Sequence, residues 1–199
     1  MRATTILMNE HRLIEQVLTC LERMADKATA DGRLEAAPAR DAVAFFREFA
    51  DGCHHAKEED RLFPMMESRG FRPDAGPTAV MRHEHVRGRE LVDRLADAIN
   101  GAAEGNSAEI CRFVDTTANY AELLREHIGK EDHCLFPMAD QALGAEGQSE
   151  LLESFSALDS TEMGDAAREK FHKIANDLAD RYGVPRVELT TEDATCSET

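Results

Sequence analysis

Apolar side chains recur along this chain at alternating steps of three and four residues, the spacing that lines one face of a helix. Over residues 4–29 the stripe is Leu7, His11, Ile14, Leu18, Leu21 and Ala25. Asp31-Gly32 interrupts it, and Pro38 suits the first turn of a second helix. That helix, over 38–68, carries Phe46, Ala50, His54, Glu58, Leu62 and Met65, and Pro64 should kink or loosen its end. Residues 69–77 have the Gly and Pro content of a loop. A third helix over about 77–100 carries Met81, His85, Gly88, Val92, Leu95 and Ile99. The fourth, over about 107–141, carries Phe113, Thr117, Tyr120, Leu124, His127, Glu131, Cys134 and Met138. After Gly144 and Gly147, residues 148–182 predict one or two more helices, broken near Asp159 to Gly164. The pattern predicts an all-α fold: an antiparallel four-helix bundle over 1–144, a C-terminal helical extension over 145–183, and a polar tail over 184–199.

The helices pair as a repeat. HHAKEEDRLFP, residues 54–64, aligns with HIGKEDHCLFP, residues 127–137, at an offset of 73. His54 falls on His127, Lys57 on Lys130, Glu58 on Glu131 and Leu62-Phe63-Pro64 on Leu135-Phe136-Pro137. Upstream, Glu10-His11 matches Glu84-His85 at an offset of 74. Each half therefore carries one lone His and one HxxxE. His55 has no counterpart, because Ile128 stands there, and Glu59 is matched by Asp132.

Helix geometry makes the same choice. Residues i and i+4 lie about 40° apart on one face, so His54 points with Glu58 and His127 with Glu131 along the apolar stripe. His11, His54, His85 and His127 are thus expected to point inward with both glutamates. Burying these groups unpaired would cost several kcal/mol for each carboxylate. Two divalent cations remove that cost: four imidazoles supply two nitrogens per metal, and two carboxylates can bridge. The donors suit iron, with manganese or zinc as the other candidates. Asp132 is a rival to Glu131, since a widened helical turn would bring an i+5 acid inward.

The ordered set H…HxxxE…H…HxxxE, with LFP after both paired motifs, resembles the hemerythrin-like family, the HHE cation-binding domain, over residues 4 to about 141. The resemblance implies a four-helix bundle around a non-haem, carboxylate-bridged di-iron centre. His11 and His54 would hold one iron and His85 and His127 the other. Family members bind dioxygen, react with nitric oxide or peroxide, sense these species, or handle iron. Oxygen-carrying members have HxxxH on the third helix; here Met81 takes the earlier position, which implies an open or water-filled position and favours reactivity over reversible oxygen carriage. The four-His, two-Glu pattern is closer to members that include di-iron proteins associated with iron–sulfur cluster repair. A ferritin-like site needs two ExxH motifs, and the chain has one, Glu169 to His172, outside the repeat; a zincin HExxH is absent.

Composition narrows the function. Thirty-nine acids against 23 bases give a formal charge of −16, which disfavours phosphate backbones and anionic membranes as partners. No run approaches the roughly 18 apolar residues of a membrane span. Five cysteines (Cys20, Cys53, Cys111, Cys134, Cys196), odd in number and without CxxC, are expected to be reduced thiols in a cytoplasmic protein. Cys53 and Cys134 are expected to be small buried core residues. His55, His83 and His133 are expected at surface or supporting positions, with Tyr120 in the pocket wall or core and His172 structural. The first functional expectation is a di-iron protein that binds or consumes a small diatomic or peroxide, with no enzyme class assigned. The second is a non-catalytic iron-binding module for storage, delivery, repair or sensing through a protein partner. The C-terminal helices are candidates for covering the bundle, forming a homodimer or meeting that partner.

Overall fold

A computed structural model describes residues 2–159 and 164–187, so of the expected tail over 184–199 the part from 188 on, with Cys196, lies outside the described residues. Every regular element among the described residues is helical. Helix α1 is Ala3–Asp31 and ends at Gly32, whose left-handed φ of 65° suits a residue without a Cβ. Helix α2 begins as Ala36–Phe45, widens into π-helical turns at Phe46–His55 and Glu58–Leu62, and finishes as Phe63–Ser68. Helix α3 is Pro77–Ala103. Helix α4 starts as Ser107–Lys130, where the Asn106 side chain accepts from the backbone N–H groups of Ala108 and Glu109. It then passes through a π turn at Glu131–Leu135 and enters the run Phe136–Leu158. Gly144, at φ 61° and ψ −168°, breaks that run; the part beyond it, 145–158, is called α5. Helix α6 is Gly164–Tyr182.

Helices α1 to α4 form the antiparallel bundle. Helix α4 packs on α1 and α3, α2 packs on α3, and α6 lies against α1 and α2. Gln16 pins α6: its amide N–H donates to the Ala175 carbonyl at 2.9 Å and its amide oxygen accepts from Val187 N–H at 2.6 Å. Phe171 of α6 adds its ring to Phe45 and Phe49 of α2, with centroids 6.3 and 6.2 Å away. No helix among the described residues is long and apolar enough to cross a membrane.

The apolar interior is split in two. One cluster runs from Leu13 and Ile14 through Phe45, Leu95 and Phe113 to Phe171. The other joins Ala3, Leu7, Phe63, Met81, Phe136 and Phe155. His11, His54, Glu58, His85, His127 and Glu131 are buried as well. In sequence they fall between the contributions to the two clusters, as His11 does between Leu7 and Leu13.

The π turns correct the expected stripes. Each inserts one extra residue into the helical ladder, so the seam beyond it advances by about one position. Past Glu58 the buried residue is Met66 rather than Met65, and Pro64 is carried without a break because the helix continues to Ser68. Past Glu131 the inward residues are Leu135, Phe136 and Ala139, whereas Cys134 and Met138 are exposed. Cys53 is buried as expected. The expected break at Gly144 is present, but Gly147 lies inside α5 and is buried.

If α6 is integral to the core, Phe171→Ala should lower the free energy of unfolding by about 3–5 kcal/mol. Equilibrium denaturation followed by circular dichroism measures this, and a loss under about 1 kcal/mol would mean that α6 merely rests on the surface.

Candidate metal centre

Each half of the bundle offers one lone histidine and one HxxxE, and the helices bring all six side chains to the same level. The donor atoms fall into two groups, His11, His54, Glu58, Glu131 and His55, Glu58, His85, His127, with the atoms of each group within 4.8 Å of one another. Glu58 belongs to both. Its Oε1 lies 3.5 Å from His54 Nε2 and its Oε2 lies 3.4 Å from His85 Nε2. Glu131 Oε2 lies 3.2 Å from both His11 Nε2 and His127 Nε2, and its Oε1 is 4.0 Å from His85 Nε2.

These proximities are not hydrogen bonds. His11 Nε2 and both oxygens of Glu58 and Glu131 are buried without an acceptably aligned hydrogen-bond partner. Five such atoms in one interior are far too costly for a structural polar cluster. A pair of cations accepts all of them at once. The residues present therefore fit two metal ions.

The outer ring nitrogens show how the rings are held. His54 Nδ1 lies 3.0 Å from Glu10, which also takes the Lys57 ammonium at 2.5 Å. His127 Nδ1 lies 3.0 Å from Glu84, which pairs with Lys130. His11 Nδ1 lies 2.7 Å from Asp132, itself paired with Arg12, and His85 Nδ1 lies 2.6 Å from Glu59, held by Arg89 at 2.9 Å. Each imidazole thus donates Nδ1–H to a carboxylate backed by a cation and turns its Nε2 lone pair inward. This is the support that metal-binding histidines require.

The supporting acids follow the repeat and cross between halves. Glu10 and Glu84 each precede a lone histidine but serve the paired histidine of the same half. Glu59 and Asp132 each follow an HxxxE glutamate; Glu59 serves His85 of the second half, and Asp132 serves His11 of the first. Asp132 is therefore occupied at Nδ1 of His11, and the inward carboxylate is Glu131. Helical periodicity sets Glu59 aside and does not single out Glu10 or Glu84. The signal is nonetheless present, since all four acids sit at matched positions of the repeat. Lys57, fully buried, has a further partner in Asp159 at 2.9 Å, at the C-terminal end of α5.

Burial sets the protonation pattern. It pushes Glu58 well above the usual carboxylate range, with Glu131 beside it adding to the shift. At Glu131 burial acts the same way but His127, His11 and His54 outweigh it, so this carboxyl lies below its ordinary value. His54 and His85 are pushed well down by burial and by neighbouring imidazoles. For His11, burial opposes the charge, yet Asp132 at Nδ1 and the Glu131 carboxylate nearby raise it to about 9.

The structure corrects the placement of His55. Expected at a surface or supporting position, it is instead buried, stacks on His85 with centroids 3.8 Å apart, and stands in the second donor group. His83 and His133 are exposed, and His172 is half-buried against Phe49. Tyr120 lines a cavity of about 280 Å³ with Phe46, His55, His85, Val92 and His127, so the donor cluster has an approach from outside.

Comparison with known proteins agrees with this chemistry. The family model described as the Hemerythrin HHE cation binding domain matches residues 2–139. Uncharacterized proteins of Mycobacterium bovis and Mycobacterium tuberculosis are 26% identical over 174 residues, covering 87% of this chain. The chain spans 66% of the length of those relatives, just under two thirds. The iron-sulfur cluster repair protein YtfE of Dickeya chrysanthemi is 35% identical over 88 residues, which is 43% of this chain and 40% of that protein. No solved structure matches.

The geometry generates two expected outcomes. Asp132→Asn should weaken metal binding by about 10–100-fold without unfolding the bundle, read by chelator competition. In the chelated protein, the raised His11 value contributes stability that is complete below about 6.5 and lost as pH rises towards about 9. A melting temperature that falls across that window in the wild type but stays flat in His11→Gln is the expected result.

Proposed function

The chain belongs to the hemerythrin HHE cation-binding family, and from that premise we propose that it is a non-haem di-iron protein that binds or reacts with a small oxidant or diatomic: dioxygen, nitric oxide or peroxide. In this reading His11 and His54 hold one iron, His85 and His127 hold the other, and Glu58 and Glu131 bridge. The observation that carries it is the sharing of Glu58 between two donor groups, with five buried donor atoms that find no hydrogen bond. Imidazole and carboxylate donors without a thiolate suit iron, and manganese or zinc would fit the same set.

The metals supply redox and Lewis-acid chemistry when bound. The chain does the rest. The carboxylates at Nδ1 orient each ring, and burial shields the donor atoms from bulk water. The cavity beside Tyr120 admits a small molecule. The four cysteines among the described residues are free thiols, which supports placing the protein in the cytoplasm.

A second reading has a specific observation behind it, the similarity to an iron-sulfur cluster repair protein over 88 residues. There the iron is stored, delivered or used in repair through a protein partner rather than turned over with an oxidant.

Metal analysis of protein purified from iron-replete cells should return close to two iron per chain, and the reduced form should change its visible spectrum with oxygen, nitric oxide or peroxide. Steady turnover favours the first reading, and a single spectral change followed by iron transfer favours the second. One bound zinc with no optical response would sink both. His54→Ala should lower metal content and melting temperature together.

A further inference from the structure

We propose that His55, through Nε2, is a fifth imidazole donor to the metal held by His85 and His127, so that the two metals have unequal ligand sets. The inference rests on the di-metal reading above and adds a ligand to it. Three observations on the chain's own residues carry it.

The first is position. His55 has a donor nitrogen within 4.8 Å of those of Glu58, His85 and His127, and it is 7% exposed. Adjacent residues on a regular α-helix point about 100° apart, which normally sends one of them outward. Here the π-helical stretch Phe46–His55 ends on this pair, and both His54 and His55 are buried in the bundle.

The second is how the ring is held. His55 Nδ1 lies 3.2 Å from Asp51, and Asp51 accepts from Arg89 Nε at 2.7 Å. This carboxylate-and-cation support is the arrangement seen at His11, His54, His85 and His127. With Nδ1–H committed to Asp51, Nε2 remains as the donor. Arg89 also holds Glu59, which holds His85, so one guanidinium orients two rings of the same donor group.

The third is the comparison between halves. The matched position in α4 is Ile128, also buried at 3% exposed. An apolar core residue in one half is replaced by an imidazole in the other. Asp51 supplies a partner at Nδ1, and in this proposal the metal takes Nε2. The resulting asymmetry is three imidazoles at one metal against two at the other. The cavity beside Tyr120 is lined by His55, His85 and His127, so it approaches the three-imidazole side.

The test is ⁵⁷Fe Mössbauer spectroscopy and iron affinity on the full-length iron-loaded protein and on His55→Ala. Wild type should show two distinct iron environments in equal amounts. The variant should hold its second iron about tenfold or more weakly, with one environment changed and the other retained, and added imidazole should restore the lost signature. Asp51→Asn should move the same environment to a smaller extent. If His55→Ala does not fold, His55→Gln carries the same measurements. Two irons bound with unchanged spectrum and affinity in the variant would overturn the proposal and leave His55 as a stacking partner of His85. A wild-type chain that takes up one metal or none would overturn the di-iron reading itself, an outcome separable from the first because it appears before any variant is made.

Discussion

Seven ionisable side chains share the interior of one small bundle, and the rest of the structure is arranged around what that costs. Burial, with Glu131 beside it, drives Glu58 towards its neutral form; burial and neighbouring imidazoles push His54 and His85 well down, and the surrounding imidazoles hold Glu131 below its ordinary value. Two apolar clusters share the interior with them, and all seven are buried. Such a layer is stable only if its inner atoms meet cations and its outer atoms meet fixed charges. The outer half of that requirement is met entirely by the chain: every imidazole in the layer has a carboxylate at Nδ1, and each of those carboxylates has a Lys or Arg.

The duplicated hairpin explains why these supports come in matched sets. Glu10 and Glu84 act alike, as do Glu59 and Asp132, with Lys57 and Lys130 behind one set and Arg12 and Arg89 behind the other. Because Glu59 and Asp132 reach across to the opposite half, neither hairpin can complete its own site. The centre exists only when both halves are docked. The symmetry then breaks at particular places. His55 stands opposite Ile128, and Lys57 is fully buried where Lys130 is 41% exposed at its side chain.

Lys57 also joins the bundle to the C-terminal helices. Asp159, at the C-terminal end of α5, pairs with Lys57, which pairs with Glu10, which holds His54. Burial disfavours the Lys57 ammonium, but Glu10 and its other neighbours hold it above the ordinary lysine range. The helices beyond Gly144 therefore do more than cover apolar surface. They complete the support of one candidate ligand.

The sequence by itself determined the helices, their apolar faces and the internal repeat, and through the repeat it selected His11, His54, Glu58, His85, His127 and Glu131. These were legible because helical periodicity is local and duplication exposes which residues recur. It did not reveal the π turns, so Met65, Cys134 and Met138 were placed inward where Met66, Leu135, Phe136 and Ala139 belong. A π turn is a choice between i→i+4 and i→i+5 pairing that packing decides, and residue types alone do not mark it. The same blindness hid His55, whose inward position depends on that widened helix. The acids at Nδ1 were visible as repeated letters, but their assignments were not, because which carboxylate meets which ring is a contact between helices up to 121 residues apart in sequence. Only docking the two halves puts Asp132 on His11 and Glu59 on His85.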